Sequence, residues 1–409
     1  MKFFCTDGIR GRAIDLICSN IVVKLGQILG EKSKKILIGY DTRVSSPQIV
    51  NLLVNGIVTK SCNVDIMHVV STPMISFFLM NYEYDYGIMI TASHNPYFDN
   101  GIKIFNSSGE KIDQLEIDDI KEKFNHDIPF SLSDKLGELK YSNKNDEYLT
   151  FINSLIDFTN QYKIVLDCAN GSFSFISDQL KLNNITYINN QPNGKNINDH
   201  VGACYPEMLQ NYVKNHNLDY GFAFDGDGDR LIMVDKNRIY HGDDIMFNLI
   251  NFFHYDNVVF TKIVNQGLID YCKENKIRYQ ICDVGDSNVL NTMKIENADF
   301  GGEPSGHFIY KDHFYSDGLF SLIRVLRIIN TGKWLSFNRY ETFFYDILHT
   351  SELYQKKEEI ENFIITTLSL DDFYIIRESG TEDKLRINIQ SLNKDTINKI
   401  KTYFKNMEK

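Results

Sequence analysis

YGIMITASHNPYFDNGIKIF, residues 86–105, decides how the rest of the chain is to be read. Residues 86–92 are short and mostly apolar, which predicts a buried strand. The strand runs into Ser93-His94-Asn95-Pro96, where the Asn-Pro pair forbids further ladder. A hydroxyl is thereby delivered to a strand end on an irregular loop. Asp99-Asn100-Gly101 reads as a second tight turn, and residues 102–105 as a returning strand carrying Lys103. Taken alone, the segment reads equally well as an ordinary loop whose Ser and Asn satisfy their own backbone.

Toward the N-terminus the pattern alternates. Residues 21–29 form an amphipathic helix and residues 35–40 a strand ending at Asp41-Thr42-Arg43. Pro47 opens a helix, residues 64–70 make a strand, and Ser71-Thr72-Pro73 begins another helix. Strands separated by such helices imply crossover units and a largely parallel sheet, with ligands at the carboxyl ends of the strands. Asp41, Ser71 and Ser93 all fall there. Nearer the start, Gly8-Ile9-Arg10-Gly11 suits a backbone turn that presents Arg10.

Toward the C-terminus the plan repeats. Residues 106–150 are polar and read as a helical tail and boundary. A second block ends its strand at Asp225-Gly-Asp-Gly-Asp-Arg230, and a third leads to Gly301-Gly-Glu-Pro-Ser-Gly-His307. From about residue 340 the chain changes plan, with a Lys/Glu-rich helix, two strands and a final helix. The expected fold class is α/β: three similar α/β domains with mixed, largely parallel sheets plus a smaller α+β C-terminal domain. The expected borders are 1–140, 141–238, 239–340 and 341–409.

Composition narrows the partners. The 409 residues carry 43 basic and 54 acidic side chains, a net charge of −11 that would repel nucleic acid and anionic membranes. No apolar run approaches the length of a bilayer crossing, and residues 1–7 hold no signal-peptide core. Seven scattered cysteines with no C-x-x-C pair fit a reducing compartment, so the expected location is the cytoplasm.

Three loops carry chemistry. Asp225, Asp227 and Asp229 alternate with glycine, and three carboxylates this close repel one another unless a cation is present. An EF-hand would need Gly and Glu where Arg230 and Lys236 stand. The all-oxygen set with few donors favours Mg²⁺. Arg377-x-Ser379-Gly380-Thr381-x₄-Arg386 has the parts of a phosphate cradle: hydroxyls, a Gly-turn backbone and two guanidinium forks. Glu303, Ser305 and His307 offer a carboxylate, a hydroxyl and an imidazole that suit a polyol, with His307 able to accept a proton. No Walker A, Rossmann or G-x-S-x-G motif occurs. A reaction moving a phosphoryl group through Ser93 beside Mg²⁺ uses every part.

The chain resembles the α-D-phosphohexomutases over essentially its whole length. The matching motifs are TDGIRG at 6–11, TASHNPYFDNGIK at 91–103, DGDGDR at 225–230, GGEPSGH at 301–307 and RESGTE at 377–382. DNGIK and SGTE are similar to the glucosamine branch of that family. The resemblance implies four domains around a central cleft and interconversion of glucosamine 6-phosphate and glucosamine 1-phosphate through a bisphosphorylated sugar, towards cell-wall precursors. It implies that Ser93 is phosphorylated and, with Asp225, Asp227 and Asp229, holds Mg²⁺. Arg230, Glu303 and Ser305 would bind the sugar, and Arg377, Ser379, Gly380, Thr381 and Arg386 the distal phosphate. Arg10, Lys103 and His307 match acid–base or electrostatic positions. Glucosamine 1,6-bisphosphate or glucose 1,6-bisphosphate would be the activator and the partner a small phosphosugar, with a homodimer as one candidate assembly. Cys5, Asp383 and Ser287 depart from the family's usual Gly, Pro and Arg. The competing readings are the same chemistry on glucose or mannose phosphates, a non-catalytic phosphosugar-binding regulator, and a Mg²⁺ phosphatase.

Overall fold

The computed structural model describes residues 4–407 apart from 6–7, 127–134, 177–178, 338 and 379–383, and only the backbone of 4–5. The chain forms two compact units, Met1–Ile245 with Ser305–Trp334, and Met246–Pro304 with Leu335–Lys409.

In the first unit, a seven-stranded sheet runs Phe4–Cys5, Gly8–Arg12, Asp99–Asn106, Tyr86–Ile90, Lys35–Tyr40, Asn63–Val69 and Leu139–Tyr141. Tyr86–Ile90 lies parallel to Lys35–Tyr40, which is parallel to Asn63–Val69. Both central strands are apolar on both faces because helices cover them, as parallel strands require. Ile36, Ile38, Ile88 and Ile90 are fully buried against Leu25, Ile28, Leu53 and Ile57 of helices Ile21–Glu31 and Ser46–Val58. Burying each such side chain contributes about 1.5–3 kcal/mol.

Here the structure corrects three expectations. Asp99-Asn100-Gly101 is no turn: it opens the strand Asp99–Asn106, antiparallel to both Tyr86–Ile90 and Gly8–Arg12. A Cβ at Gly101 would stand 2.6 Å from Ile9 O and 2.7 Å from Thr91 O, so this glycine permits close strand approach. Arg10 likewise sits on a strand, opposite Gly101, and not in a turn. The stretch read as a boundary contributes a strand, Leu139–Tyr141, parallel to Asn63–Val69.

The same unit holds a second sheet, ordered Ile239–Tyr240, Ile232–Asp235, Tyr220–Ala223, Ile164–Asp167 and Ile185–Ile188. Tyr220–Ala223 is parallel to Ile164–Asp167 and antiparallel to Ile232–Asp235. The acidic loop therefore joins two buried antiparallel strands. Helix Gly318–Asn330 packs its apolar face inward and is capped by Asp317, which accepts from Leu319 N at 3.0 Å and Phe320 N at 3.1 Å.

In the second unit, Asn257–Thr261 lies parallel to both Arg278–Cys282 and Phe300–Gly302, the latter running straight into Glu303. A separate antiparallel sheet places Lys384–Ser391 between Glu341–Leu348 and Phe373–Glu378. Its apolar face covers Ile360, Ile364, Ile397, Ile400 and Phe404 of helices Lys357–Thr367 and Lys394–Met407. The strand Glu341–Leu348 was missing from the sequence reading. Among the described residues no helix is long and apolar enough to cross a membrane.

Candidate active site

Ser93 adopts φ +51, a left-handed conformation that costs a non-glycine residue about 1–3 kcal/mol unless its surroundings impose it. They do. Ser93 N donates to Thr91 Oγ1 at 2.8 Å. The Ser93 carbonyl accepts from Arg43 Nη2 at 2.9 Å and Asn198 Nδ2 at 2.8 Å, and the same two groups reach Asn95 O at 2.8 and 3.1 Å. Arg43 also donates to the carbonyls of Pro96 and Asp99, while its Nε pairs with Asp41 at 2.8 Å. With only 1% of its surface exposed, Arg43 spends a rigid fork of donors on the serine loop. Sequence reasoning placed Asp41 at a strand end but gave no role to Arg43 or Asn198. Asp41-Thr42-Arg43 carried a weak signal, Asn198 none.

The loop thus held faces the acidic turn. Ser93 Oγ donates to Asp225 Oδ2 at 2.7 Å. A Cβ on Gly226 would lie 2.8 Å from Ser93 O and 2.7 Å from Asn198 Nδ2, so glycine is what lets the two loops meet. Asp225, Asp227 and Asp229 are buried, with ligand atoms all within 4.8 Å of one another. Lys103 bridges two of them, 2.6 Å from Asp227 Oδ2 and 2.9 Å from Asp229 Oδ2. His307 Nε2 lies 3.0 Å from Asp229 Oδ1 and 3.2 Å from Arg230 Nε. Among the described residues, Asp227 Oδ1 is buried with no hydrogen-bond partner. Such an orphaned oxygen is costly unless a cation takes it, and the donor set is all oxygen; the three carboxylates fit a hard divalent ion.

Burial, then the charges of Asp229 and Asp227, push the Asp225 carboxyl up to about 7. Burial also opposes ionisation of Asp229, but Lys103, His307 and Arg230 outweigh it and hold that carboxyl well below its usual range. Beside Ser93, the Arg230 charge, burial and Arg10 keep the His94 imidazole well below its usual range and hence neutral. Ser305 Oγ is 3.4 Å from His307 Nδ1. One unit therefore brings together Ser93, Arg10, Lys103, the three aspartates, Arg230, Ser305 and His307.

The second unit gathers the rest. Glu303 is buried and accepts from Gly285 N at 3.0 Å. Arg377 and Arg386 stand directly opposite each other on paired strands. Burial, then the charge of Arg386, pull the Arg377 guanidinium below its usual range, against the charges of Glu303, Asp346 and Asp283. Like charges at one register position destabilise a sheet, and Asp346 Oδ1, 3.8 Å from Arg386 Nε, offsets part of that repulsion. Ser379, Gly380, Thr381 and Asp383 lie outside the described residues. Ser287 is the second residue of helix Asp286–Glu296.

The chain is similar to known proteins along nearly its whole length. The phosphoglucomutase/phosphomannomutase alpha/beta/alpha domain families I, II and III match residues 1–129, 146–240 and 241–341. Phosphoglucosamine mutase of Aliarcobacter butzleri is 37% identical over 97% of each chain. That of Nautilia profundicola is 35% identical over 99% of each. Among solved structures, the Paramecium phosphoglucomutase parafusin, in an open form, shares the fold at TM-score 0.78 and 17% identity, over 99% of this chain and 94% of that one. Aspergillus fumigatus N-acetylphosphoglucosamine mutase, in complex with GlcNAc-6P and magnesium, does so at TM-score 0.67 and 14% identity, over 98% and 94%. The chain belongs to the phosphoglucosamine mutase family of the α-D-phosphohexomutases.

Proposed function

We propose that this protein interconverts glucosamine 6-phosphate and glucosamine 1-phosphate through a phosphorylated Ser93. The observation that carries the reading is the 2.7 Å contact between Ser93 Oγ and Asp225, at the mouth of a three-carboxylate cluster. In the forward direction the phosphoserine O–P bond breaks as a bond forms to the sugar's 1-hydroxyl oxygen. That hydroxyl gives up its proton, and Ser93 is left as an alkoxyl that regains one. The bisphosphate then presents its other end, and its 6-phosphoryl group returns to Ser93. Glucosamine 1,6-bisphosphate, or glucose 1,6-bisphosphate, would restore any enzyme that loses its phosphate.

Asp225, Asp227, Asp229 and the Ser93 phosphate are the groups that would hold Mg²⁺, which supplies charge neutralisation for the transferring phosphoryl group. Lys103, Arg230 and Arg10 add fixed positive charge there, while His307 is the candidate proton carrier. Glu303 and Ser305 are assigned to sugar hydroxyls, and Arg377 and Arg386, with Ser379, Gly380 and Thr381, to the second phosphate. The four-domain division with borders near 140, 238 and 340 belongs to the same proposal.

Ser93→Ala should cut interconversion, followed by ³¹P NMR with a bisphosphate activator, by about 10⁴-fold or more, as when an obligatory nucleophile is removed. Intact-mass spectra should show phosphate on the wild type alone. Retained turnover in the variant, or stoichiometric phosphate release by the wild type, would reject the mutase. A higher kcat/KM for glucose or mannose phosphates would reject the amino-sugar assignment.

A further inference from the structure

We infer that Thr72 is a positioning residue that selects which oxygen of Asp227 faces the cation. The inference rests on the metal reading above and adds a residue to it. Thr72 opens helix Thr72–Asn81 at the end of strand Asn63–Val69, and only 6% of its surface is exposed. Two bonds tie it to the acidic loop across 155 residues of sequence. Its backbone N–H donates to the Asp227 carbonyl at 2.9 Å, and its hydroxyl donates to Asp227 Oδ2.

The division of labour between the two oxygens of Asp227 follows. Oδ2 receives both the Thr72 hydroxyl and the Lys103 ammonium. Oδ1 is buried and, among the described residues, receives no hydrogen bond. A carboxylate whose one oxygen is held by two donors cannot rotate without breaking both, so the other oxygen is fixed in direction before any ion arrives. Lys103 alone would not suffice, because it is shared with Asp229 and its three rotatable donors fix no plane. The threonine hydroxyl sits on a helix terminus pinned by the backbone bond from the same residue, and therefore sets the angle. Outer partners of this kind typically contribute 10–100-fold to metal affinity.

The hydroxyl can be tested apart from the backbone anchor. Thr72→Val keeps the shape and the N–H bond to Asp227 O but loses the donor; Thr72→Ser keeps the donor. Calorimetric titration of each full-length protein with MgCl₂, and with MnCl₂ followed by electron paramagnetic resonance, reads affinity without reference to turnover. The expected result is a 10–100-fold weaker Kd for Thr72→Val, with Thr72→Ser within about threefold of wild type. In an Asp227→Asn background, Thr72→Val should add no further loss.

Equal affinity of Thr72→Val and wild type would overturn the inference while leaving the metal reading intact. Equal weakening of Val and Ser variants would assign the effect to packing and also overturn it. A wild type that binds neither ion would overturn the metal reading itself, and this inference with it. Should Thr72→Val not fold, Thr72→Ala carries the same test with the same outcomes.

Discussion

The acidic centre and the arginine pair solve opposite electrostatic problems. Around Ser93, three buried carboxylates are brought within 4.8 Å and partly neutralised from inside by Lys103, Arg230 and His307. At Arg377 and Arg386, two guanidiniums share one register position on half-buried strands, with Asp346 and Asp283 as their counter-charges. The first region carries its own balancing charge and leaves one oxygen for a cation. The second keeps like charges together and answers them with carboxylates set around the pair. On the function proposed above, the first is where charge moves and the second is where charge is only held.

The difference can be broken most forcefully at Lys103. Lys103→Met strips Asp227 and Asp229 of their shared cation, and breaking a buried ion pair from one side costs about 3–5 kcal/mol. Chemical denaturation in EDTA should show that loss, and excess MgCl₂ should restore part of it. Arg43→Met should follow closely, since it removes the ion-pair partner of buried Asp41 and the guanidinium bonds to four carbonyls of the serine loop. Its kcat should fall more than its KM rises.

On the arginine side the sign reverses. Arg377→Gln or Arg386→Gln should relieve repulsion and leave stability unchanged or raised by about 0.2–1 kcal/mol. The cost should fall on binding instead: losing a charge-assisted contact worth about 1.5–3 kcal/mol raises KM for the phosphosugar by roughly 10–150-fold. A variant that loses stability but keeps its KM would erase the contrast between the two regions.

A further effect is expected on pH. Because burial and its acidic neighbours raise the Asp225 carboxyl to about 7, the folded protein holds a proton that the unfolded chain releases near 4. Its contribution to stability is full below about 4 and is lost as pH rises through about 7. Melting curves in EDTA should therefore fall across that window, Mg²⁺ should bind more tightly as pH rises, and Asp225→Asn should flatten both trends.

How much of this was legible in the chain follows the range of each interaction. Strand-end loops at Ser93, Asp225 and Glu303 were readable because short apolar runs broken by Gly, Asn and Pro are local signals. Two glycine-containing segments misled: Gly8–Gly11 and Asp99–Gly101 read as turns, yet both lie in strands, since glycine serves close strand approach as well as turns. Glu341–Leu348 passed unseen because its half-exposed alternation is weak until Lys384–Ser391 pairs with it. Arg43, Asn198 and Thr72 were beyond reach as functional residues, for their partners lie 50 to 155 residues away.

The sequence by itself determined which chemistry was available: a loop hydroxyl, a run of three carboxylates, a polar turn and a pair of arginines. Those are properties of residue type and local spacing, fixed by covalent order. Only the tertiary structure decided that Ser93 reaches Asp225, that Lys103 straddles Asp227 and Asp229, and that Asp227 keeps one oxygen without a donor among the described residues. The reason is physical: a hydrogen bond is decided within about 3 Å, and no distance along the chain specifies which side chains the sheets bring that close.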